Sequence, residues 1–472
     1  MIAATGFTGK SVVVLGLGRT GLSAAGALRK GGAQVIAWDD DEARCETAAK
    51  EGFDCQDPAR RDWNGISALV LSPGIAHTHP KPHHVVELAR AIGIPVIGDI
   101  EIFACAINAM APKDRPMVFG ITGTNGKSTT TALLTHILRH SNRDAHAGGN
   151  IGTACLDLPS PHAGMIYVLE LSSYQLELTD SLHCDGALWL NLSPDHLERH
   201  GGIKGYITAK QKIFDHQGQN DVAIISMDDS VSQSQCMTRR QQGTATIVPV
   251  SANSVLSHGI SCAAGRLYDS CAGANTMVAD LRAAPALRGR HNGLNAAAAY
   301  AAARHAGLAP DAIAAAMQSF PGLAHRMEDI GTVNGVRFIN DSKATNAEAA
   351  RQALGAFDNI YWIAGGRPKA GGLKGLENAL GAVREAFLIG EAQKGFAKQL
   401  GSLVKTQTCG SLDTAIARAY AAAQKAQLPD PVILLSPACA SFDQFDDFEA
   451  RGAAFAAAMQ ALASGDAALR RA

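Results

Sequence analysis

Two glycines set just ahead of a lysine and a serine, Gly123 and Gly126 before Lys127 and Ser128 in MVFGITGTNGKSTTT, make a set suited to holding a polyphosphate. The apolar run Met117-Val118-Phe119 reads as a buried strand before them, and TTTALLTHILRH after them carries apolar positions at helical spacing. In such a strand–loop–helix the glycines let backbone N–H groups approach the anion, and the helix start adds the positive end of its dipole. Lys127 would then supply a point charge between phosphates, and the Ser128 hydroxyl would reach a Mg²⁺ ion. The strict Walker spacing asks for glycine where this chain has Ile121, so the loop is a variant. Two further residues fall where open α/β sheets gather ligands, at strand C-terminal ends. Glu170 ends the apolar run Ile166–Leu171, and His196 follows the run Ala187–Leu192 in NLSPDH. A lone carboxylate in an apolar strand is costly to bury unless it is paired or binds a metal, so Glu170 is expected to be a metal ligand.

The elements that must position these groups recur along the chain. SVVVLGLGRTGLS places Gly16, Gly18 and Gly21 after a β-branched strand, and a second strand, Gln34–Trp38, ends on Asp39. That is a dinucleotide-binding fingerprint, which alone would suggest NAD; a UDP-sugar diphosphate satisfies the same geometry. A third strand, Ile66–Leu71, runs into the tight turn Ser72-Pro73-Gly74. The polar linker Ala111–Pro116 marks a domain boundary before the phosphate loop. Residues 251–286 read as a low-information β meander, and LRGRHNGLNAAAAYAAARHAG as an Ala-rich helix with Asn292 and Asn295 on one face. The last segment alternates again. Val336–Asn340 ends at Asp341 before a helix over SKATNAEAARQAL, Ile360–Ala364 enters GGRPKAGGL, Val432–Leu435 enters SPACASFDQF, and AAFAAAMQALASG closes as a helix.

At 472 residues several domains are expected. A net charge of −1 gives no bulk electrostatic reason to bind nucleic acid. Ten scattered cysteines without a CxxC pair fit reduced thiols in the cytosol. No apolar run reaches the roughly 18–20 residues of a membrane span, and the first residues lack a signal region. A cytoplasmic protein with no membrane insertion is expected.

Taken together, GLGRTGLS, SPG, GITGTNGKST, GGNIG, LELSSYQLE, NLSPDHLERHG, GRHNGLN, HRME, NDSKATN, GGRPK and SPACASFDQFDDFEARG resemble the Mur ligases, ATP-dependent enzymes that form amide bonds in peptidoglycan precursor synthesis. The glycine-loop variant is the family's own form. The resemblance implies an α/β fold of three domains. These are a Rossmann-like UDP-binding domain over 1–110, a central P-loop ATPase-type domain with a mostly parallel sheet over 111–322, and a C-terminal Rossmann-like domain over 323–472. A hinge is expected near Pro321–Ala324, with closure of the third domain excluding water. SPACASFDQF and FEARG match the branch that takes UDP-N-acetylmuramoyl-L-alanine and D-glutamate, and the DNPR-like motif of the diaminopimelate- or lysine-adding branch is absent.

Site residues follow from the resemblance. ATP would meet Gly123, Thr124, Asn125, Gly126, Lys127, Ser128 and Thr129, with Asn292, Asn295, Arg326 and Asp341 around the adenosine and phosphates. Two Mg²⁺ ions would be held by Ser128, Glu170, His196 and a carbamylated Lys210, so Lys127, Glu170, His196 and Lys210 form the expected catalytic set. Arg19, Thr20, Asp39, Ser72, Pro73, Gly74, Asn150 and Gln175 would bind the UDP substrate or line its path. Thr345, Lys369, Ser441 and Phe448 would grip glutamate, a dianion suited to a cation with hydroxyl and backbone donors. Arg367 and Pro368 replace the small or acidic residue and glycine often found before that lysine. A monomer is expected. The competing readings are a nicotinamide-dependent dehydrogenase, a P-loop switch without an amino-acid substrate, and a sister ligase adding another residue.

Overall fold

The computed structural model describes residues 1–369 and 371–464; residues 465–472, among them the Gly465 expected to end the closing helix, and Ala370 of GGRPKAGGL lie outside them. The chain divides into two compact units, Met1–Phe320 and Pro321–Ala472. Among the described residues no helix is long and apolar enough to cross a membrane.

The first unit carries two sheets. One has five parallel strands in the order Asp54–Cys55, Gln34–Trp38, Ser11–Leu15, Ile66–Leu71, Val96–Ile97. The other has nine, with Met117–Thr122 between Gly186–Trp189 and Ile166–Glu170, and Ala145–Gly149 at the near edge. Beyond Gly186–Trp189 come Val222–Ser226 and Thr246–Ser251, still parallel. The sheet then ends in the antiparallel meander Ile260–Ala263, Arg266–Asp269, Thr276–Asp280, as the polar segment led one to expect. GDIEIFACAI forms the helix Asp99–Asn108, apolar nearly all round because it is buried on nearly all sides. One apolar cluster runs from Val12 and Val14 through Phe103 and Ile107 to Tyr167 and Trp189, so the two sheets share a core. A shared core gives the first two expected domains a common cooperative interior, hence one compact unit.

The first loop is built by close approach. Gly16 has φ +93°, and a Cβ placed on Gly21 would sit 1.7 Å from the Gly16 carbonyl oxygen. No side chain can yield there, since the obstacle is backbone. Gly21→Ala is expected to lower the stability of the chain by roughly 3 kcal/mol or more. Thermal unfolding checks this, and a loss below about 1 kcal/mol would mean that the loop opens without resistance.

The second unit is a six-stranded sheet in the order Glu328–Val333, Val336–Asn340, Val432–Leu435, Ile360–Gly365, Val383–Ile389, Thr406–Gly410. Its first two strands form a hairpin and the remaining pairs are parallel. The helix expected over SKATNAEAARQAL is shorter, Ala347–Leu354, because the Asn346 side chain caps it by accepting from Ala349 N at 2.8 Å. Ser342 is instead drawn to the Phe448 carbonyl, to which its hydroxyl donates at 2.8 Å.

Candidate active site

The phosphate loop links Met117–Thr122 to the helix Lys127–His140, with Gly123 at φ +154° and Gly126 at φ +86°. A Cβ on Gly126 would lie 2.3 Å from Asn295 Oδ1, so this glycine lets the loop seat against the helix Arg290–His305. Asn295 and Asn292 do share a face, Asn295 Nδ2 donating to Asn292 Oδ1 at 3.2 Å. Asn191 braces the loop: its Oδ1 accepts from Asn125 N at 2.9 Å and its Nδ2 donates to Asn125 O at 2.9 Å. Lys127 Nζ curls over the loop to donate to Gly123 O and Thr124 O, each at 3.0 Å. Ser128 is buried at the helix start beside Thr129.

Glu170 ends the neighbouring strand, in register with Ile121. It is 2% exposed; its Oε1 accepts from Asn150 Nδ2 at 2.7 Å, while the buried Oε2 has no hydrogen-bond partner. Lys210, 1% exposed, donates to Thr122 Oγ1 at 3.1 Å and Gly123 O at 3.0 Å, at the root of the same loop. Burial, reinforced by the Lys127 charge, pushes its pKa well below that of an ordinary lysine, against the pull of Asp195 and Glu170. The same burial favours the uncharged form of its amine. His196 has φ +52° and packs its ring 5.0 Å from that of Tyr174. Burial, ahead of the opposing pull of Asp195, lowers its pKa, which keeps a ring nitrogen available as a donor to a metal. No three His, Cys, Asp or Glu side chains gather as a ready-made cage among the described residues.

On the side of the first sheet, Arg19 and Thr20 open the helix Arg19–Lys30, and Ser72 Oγ donates to Gly16 O at 2.8 Å, tying the SPG turn to the first glycine loop. Asp39 is held from the same loop: its carboxylate accepts from Leu17 N at 2.6 Å and Asp41 N at 2.9 Å. Burial alone would raise its pKa, yet those amides and Arg44 more than offset this and hold it low. Gln175 is engaged in a capping box with Ser172, and its Nε2 donates to the buried Asp99 at 3.0 Å. Pro73 and Gly74 stand at the turn itself.

In the second unit Lys343 Nζ sits 3.7 Å from the centre of the Phe448 ring. Arg367 and Ala440 exchange backbone hydrogen bonds at 2.9 and 3.1 Å, which brings the segment carrying Lys369 beside the one carrying Ser441. Thr345 follows in the turn before the helix Ala347–Leu354. Asp341 accepts from Ser436 Oγ at 2.8 Å and Met327 N at 3.2 Å, with Arg326 nearby in charge.

Residues 121–303 match the Mur ligase middle domain, residues 325–439 the Mur ligase glutamate ligase domain, and residues 12–57 a TrkA-N domain. A UDP-N-acetylmuramoylalanine--D-glutamate ligase of Phenylobacterium zucineum is 51% identical over 99% of both chains. One of Paramagnetospirillum magneticum is 47% identical over 99% of this chain and 100% of its own. The chain belongs to the Mur ligase family. It is thus an ATP-dependent ligase that forms amide bonds. The three-domain fold of the family is matched in the crystal structure of UDP-N-acetylmuramate-alanine ligase from Thermotoga maritima. That structure has a TM-score of 0.59 at 19% identity, over 96% of this chain and 99% of that one.

Several residues of this Mur ligase site gave no local signal. Tyr206 OH lies 3.2 Å from Thr124 Oγ1, and its ring is 4.9 Å from Lys210 Nζ. Arg451, 1% exposed, donates to Ser342 Oγ, Ser342 O, Cys439 O and Ala440 O, clamping the NDSK and SPACAS segments together. Only the spacing YxxxK, which sets Tyr206 and Lys210 one helical turn apart, hinted at the first.

Asp341 leads to a pH prediction. Burial raises its carboxyl to about 7, the Ser436 and Met327 bonds and the Arg326 charge offsetting only part of this. The unfolded carboxyl titrates near ~3.9, so between about pH 4 and 7 the folded chain holds a proton that the unfolded chain has lost. That contribution to stability is fully present below the lower value and disappears as pH rises through the upper one. Asp341→Asn should flatten this part of the profile in thermal unfolding of the full chain. An unchanged slope would show that Asp341 is ionised in the fold.

Proposed function

We propose that this ligase joins the carboxylate of UDP-N-acetylmuramoyl-L-alanine to the amine of D-glutamate, with ATP converted to ADP and phosphate, as a step towards peptidoglycan and so towards cell-wall growth, shape and division. The observation that carries the chemistry is the meeting of a phosphate loop, a buried unpartnered carboxylate oxygen on Glu170 and a buried amine on Lys210 whose burial disfavours its charge. The substrates are those in the names of relatives about half identical over nearly the whole chain.

A carboxylate must be activated before an amine can displace oxygen from it. The γ-phosphoryl group passes to the substrate carboxylate. The neutral glutamate amine attacks the carbonyl carbon of the acyl phosphate to form the C–N bond and gives up a proton to solvent, and the C–O bond breaks with its electron pair leaving on phosphate. Gly123 to Thr129 offer backbone N–H groups and the helix start to the phosphates, and Lys127 adds its charge. The residues also fit a hard cation, since Glu170 Oε2 is an oxygen donor with nothing to satisfy it. Ser128, Glu170, His196 and Lys210 would hold two Mg²⁺ ions, which when bound neutralise charge on the phosphates. Lys210 joins that set as a carbamate: its neutral nitrogen adds CO₂, forming an N–C bond and losing a proton, and so becomes an anionic oxygen donor. Thr122 Oγ1 and Gly123 O accept its N–H groups and leave the lone pair to react.

Arg19, Thr20, Asp39, Ser72, Pro73, Gly74, Asn150 and Gln175 would bind the UDP substrate or line its path. Asn292, Asn295, Arg326 and Asp341 would contact the adenosine and phosphates. Thr345, Lys369, Ser441 and Phe448 would receive glutamate. The protein would act as a cytoplasmic monomer of three domains, 1–110, 111–322 and 323–472, turning about a hinge near Pro321–Ala324. Phosphate release from ATP and Mg²⁺ with UDP-N-acetylmuramoyl-L-alanine should require D-glutamate and yield a product heavier by one glutamyl residue. Release with L-glutamate alone would assign another amino acid, and none with either would overturn the proposal.

A further inference from the structure

A buried polar cluster lies between the SPG turn and the segment that carries His196, and the chemistry above does not use it. Its centre is Glu177. From one side His77 Nε2 lies 2.9 Å from Oε1 without lining up as a hydrogen bond, and Thr78 Oγ1 donates to Oε1 at 3.4 Å. From the other side Arg199 Nη1 donates to Oε2 at 3.4 Å, and His200 Nδ1 lies 3.7 Å away. Arg199 also crosses the gap itself, its Nη2 donating to Ile75 O, one residue past Gly74, at 2.8 Å. The side chains of Arg199 and His200 are 8% and 0% exposed, so the Arg199–Glu177 ion pair sits where water screens little.

The same helix end reaches the reaction side. Tyr174 lies under the Arg199 guanidinium at 5.2 Å, stacks on His200 at 5.5 Å and meets His196 at 5.0 Å. His196 has a left-handed backbone and stands directly before the short helix Leu197–His200. Its direction is therefore set by whatever fixes that helix, and Arg199 is the residue that fixes it to the turn. Arg199 Nε is buried without a hydrogen-bond partner, so the guanidinium is not saturated by Glu177 and Ile75.

We propose that Glu177 and Arg199 are positioning residues that couple the Ser72–Thr78 turn to His196, so that a UDP-sugar bound at the turn strengthens binding of the metal–nucleotide at the phosphate loop. This rests on the reading of His196 as a metal ligand and of the turn as part of the sugar-nucleotide site. Coupling of this kind is reciprocal, so either ligand can be added first.

The test is calorimetric binding of ADP with Mn²⁺ to the full chain, with and without UDP-N-acetylmuramoyl-L-alanine, for wild type, Glu177→Gln and Arg199→Lys. Wild type should bind the metal–nucleotide about fivefold or more tightly when the UDP substrate is present. Each variant should bind either ligand alone within about threefold of wild type yet lose most of that factor, because lysine cannot make the two-sided contact of Arg199. Pulsed electron resonance of the bound Mn²⁺ should show an imidazole nitrogen whose coupling sharpens with UDP substrate in wild type only. Coupling kept in both variants, or absent from wild type, overturns the proposal. Wild type that binds neither ligand overturns the proposed function itself, and this inference with it. Arg199→Lys retains the charge and stem, so it decides the question even if Glu177→Gln fails to fold.

Discussion

Glu170→Gln is expected to lower amide-bond formation by about 10³-fold or more while leaving the melting temperature unchanged or raised, since ~4 kcal/mol of barrier corresponds to that factor and a metal ligand supplies several. The two halves of this expectation have one cause. Glu170 spends one oxygen on Asn150 and keeps the other buried without a partner. An anion in that position is a cost to the fold unless a cation meets it. Glutamine preserves the shape and the Asn150 bond and removes the charge, so the fold loses nothing while the cation loses a donor. The melting temperature of wild type should rise with ATP and Mg²⁺, and that of the variant should rise much less. Phosphate release and thermal unfolding on the same preparations check both. A variant that melts far below wild type would show that the carboxylate serves an ion pair in the fold, and activity within about tenfold would remove it from the reaction.

Lys210→Met should reduce turnover on a similar scale, and here the reason is chemical identity more than charge. The side chain is almost wholly buried against the loop root, and methionine fills much the same volume. Two amine hydrogen bonds disappear, to Thr122 and Gly123, and the apolar replacement no longer has to be desolvated as an amine. Stability should therefore stay within about 2 kcal/mol of wild type. The distinctive readout is spectroscopic: ¹³C-bicarbonate should give wild type a carbamate resonance that Lys210→Met lacks. A wild type with no such resonance, yet fully active, would leave Lys210 as a loop-bracing amine.

Much of the site was legible because it is local in the chain. Gly123, Gly126, Lys127 and Ser128 occupy one strand–loop–helix, and positive φ at both glycines is the conformation their residue type permits. Glu170 could be singled out because a carboxylate ending an apolar strand conflicts with its surroundings. Asn292 and Asn295 could be paired from helical spacing alone. Elsewhere local reading misled. SKATN looked like the first turn of a helix, but Ser342 is claimed by Phe448, 106 residues away, and the helix waits for Asn346. Nor does local spacing show that Asp39 is held by Leu17 N, or that Gln175 bonds to Ser172 and Asp99.

By itself the sequence determined the doubly wound elements, the two glycine loops and the placing of Glu170 at a strand end, because each depends on neighbours within a turn or a strand. Only the tertiary structure decided how those residues are charged and joined. The pKa of Lys210 is pushed down because the fold buries it beside Lys127, and Glu170 keeps an unsatisfied oxygen because Asn150 reaches only the other. Arg199 meets Ile75 across 124 residues. Contacts of that span leave no periodic mark on a chain, since what selects them is the shape and dielectric of an interior that exists only after folding.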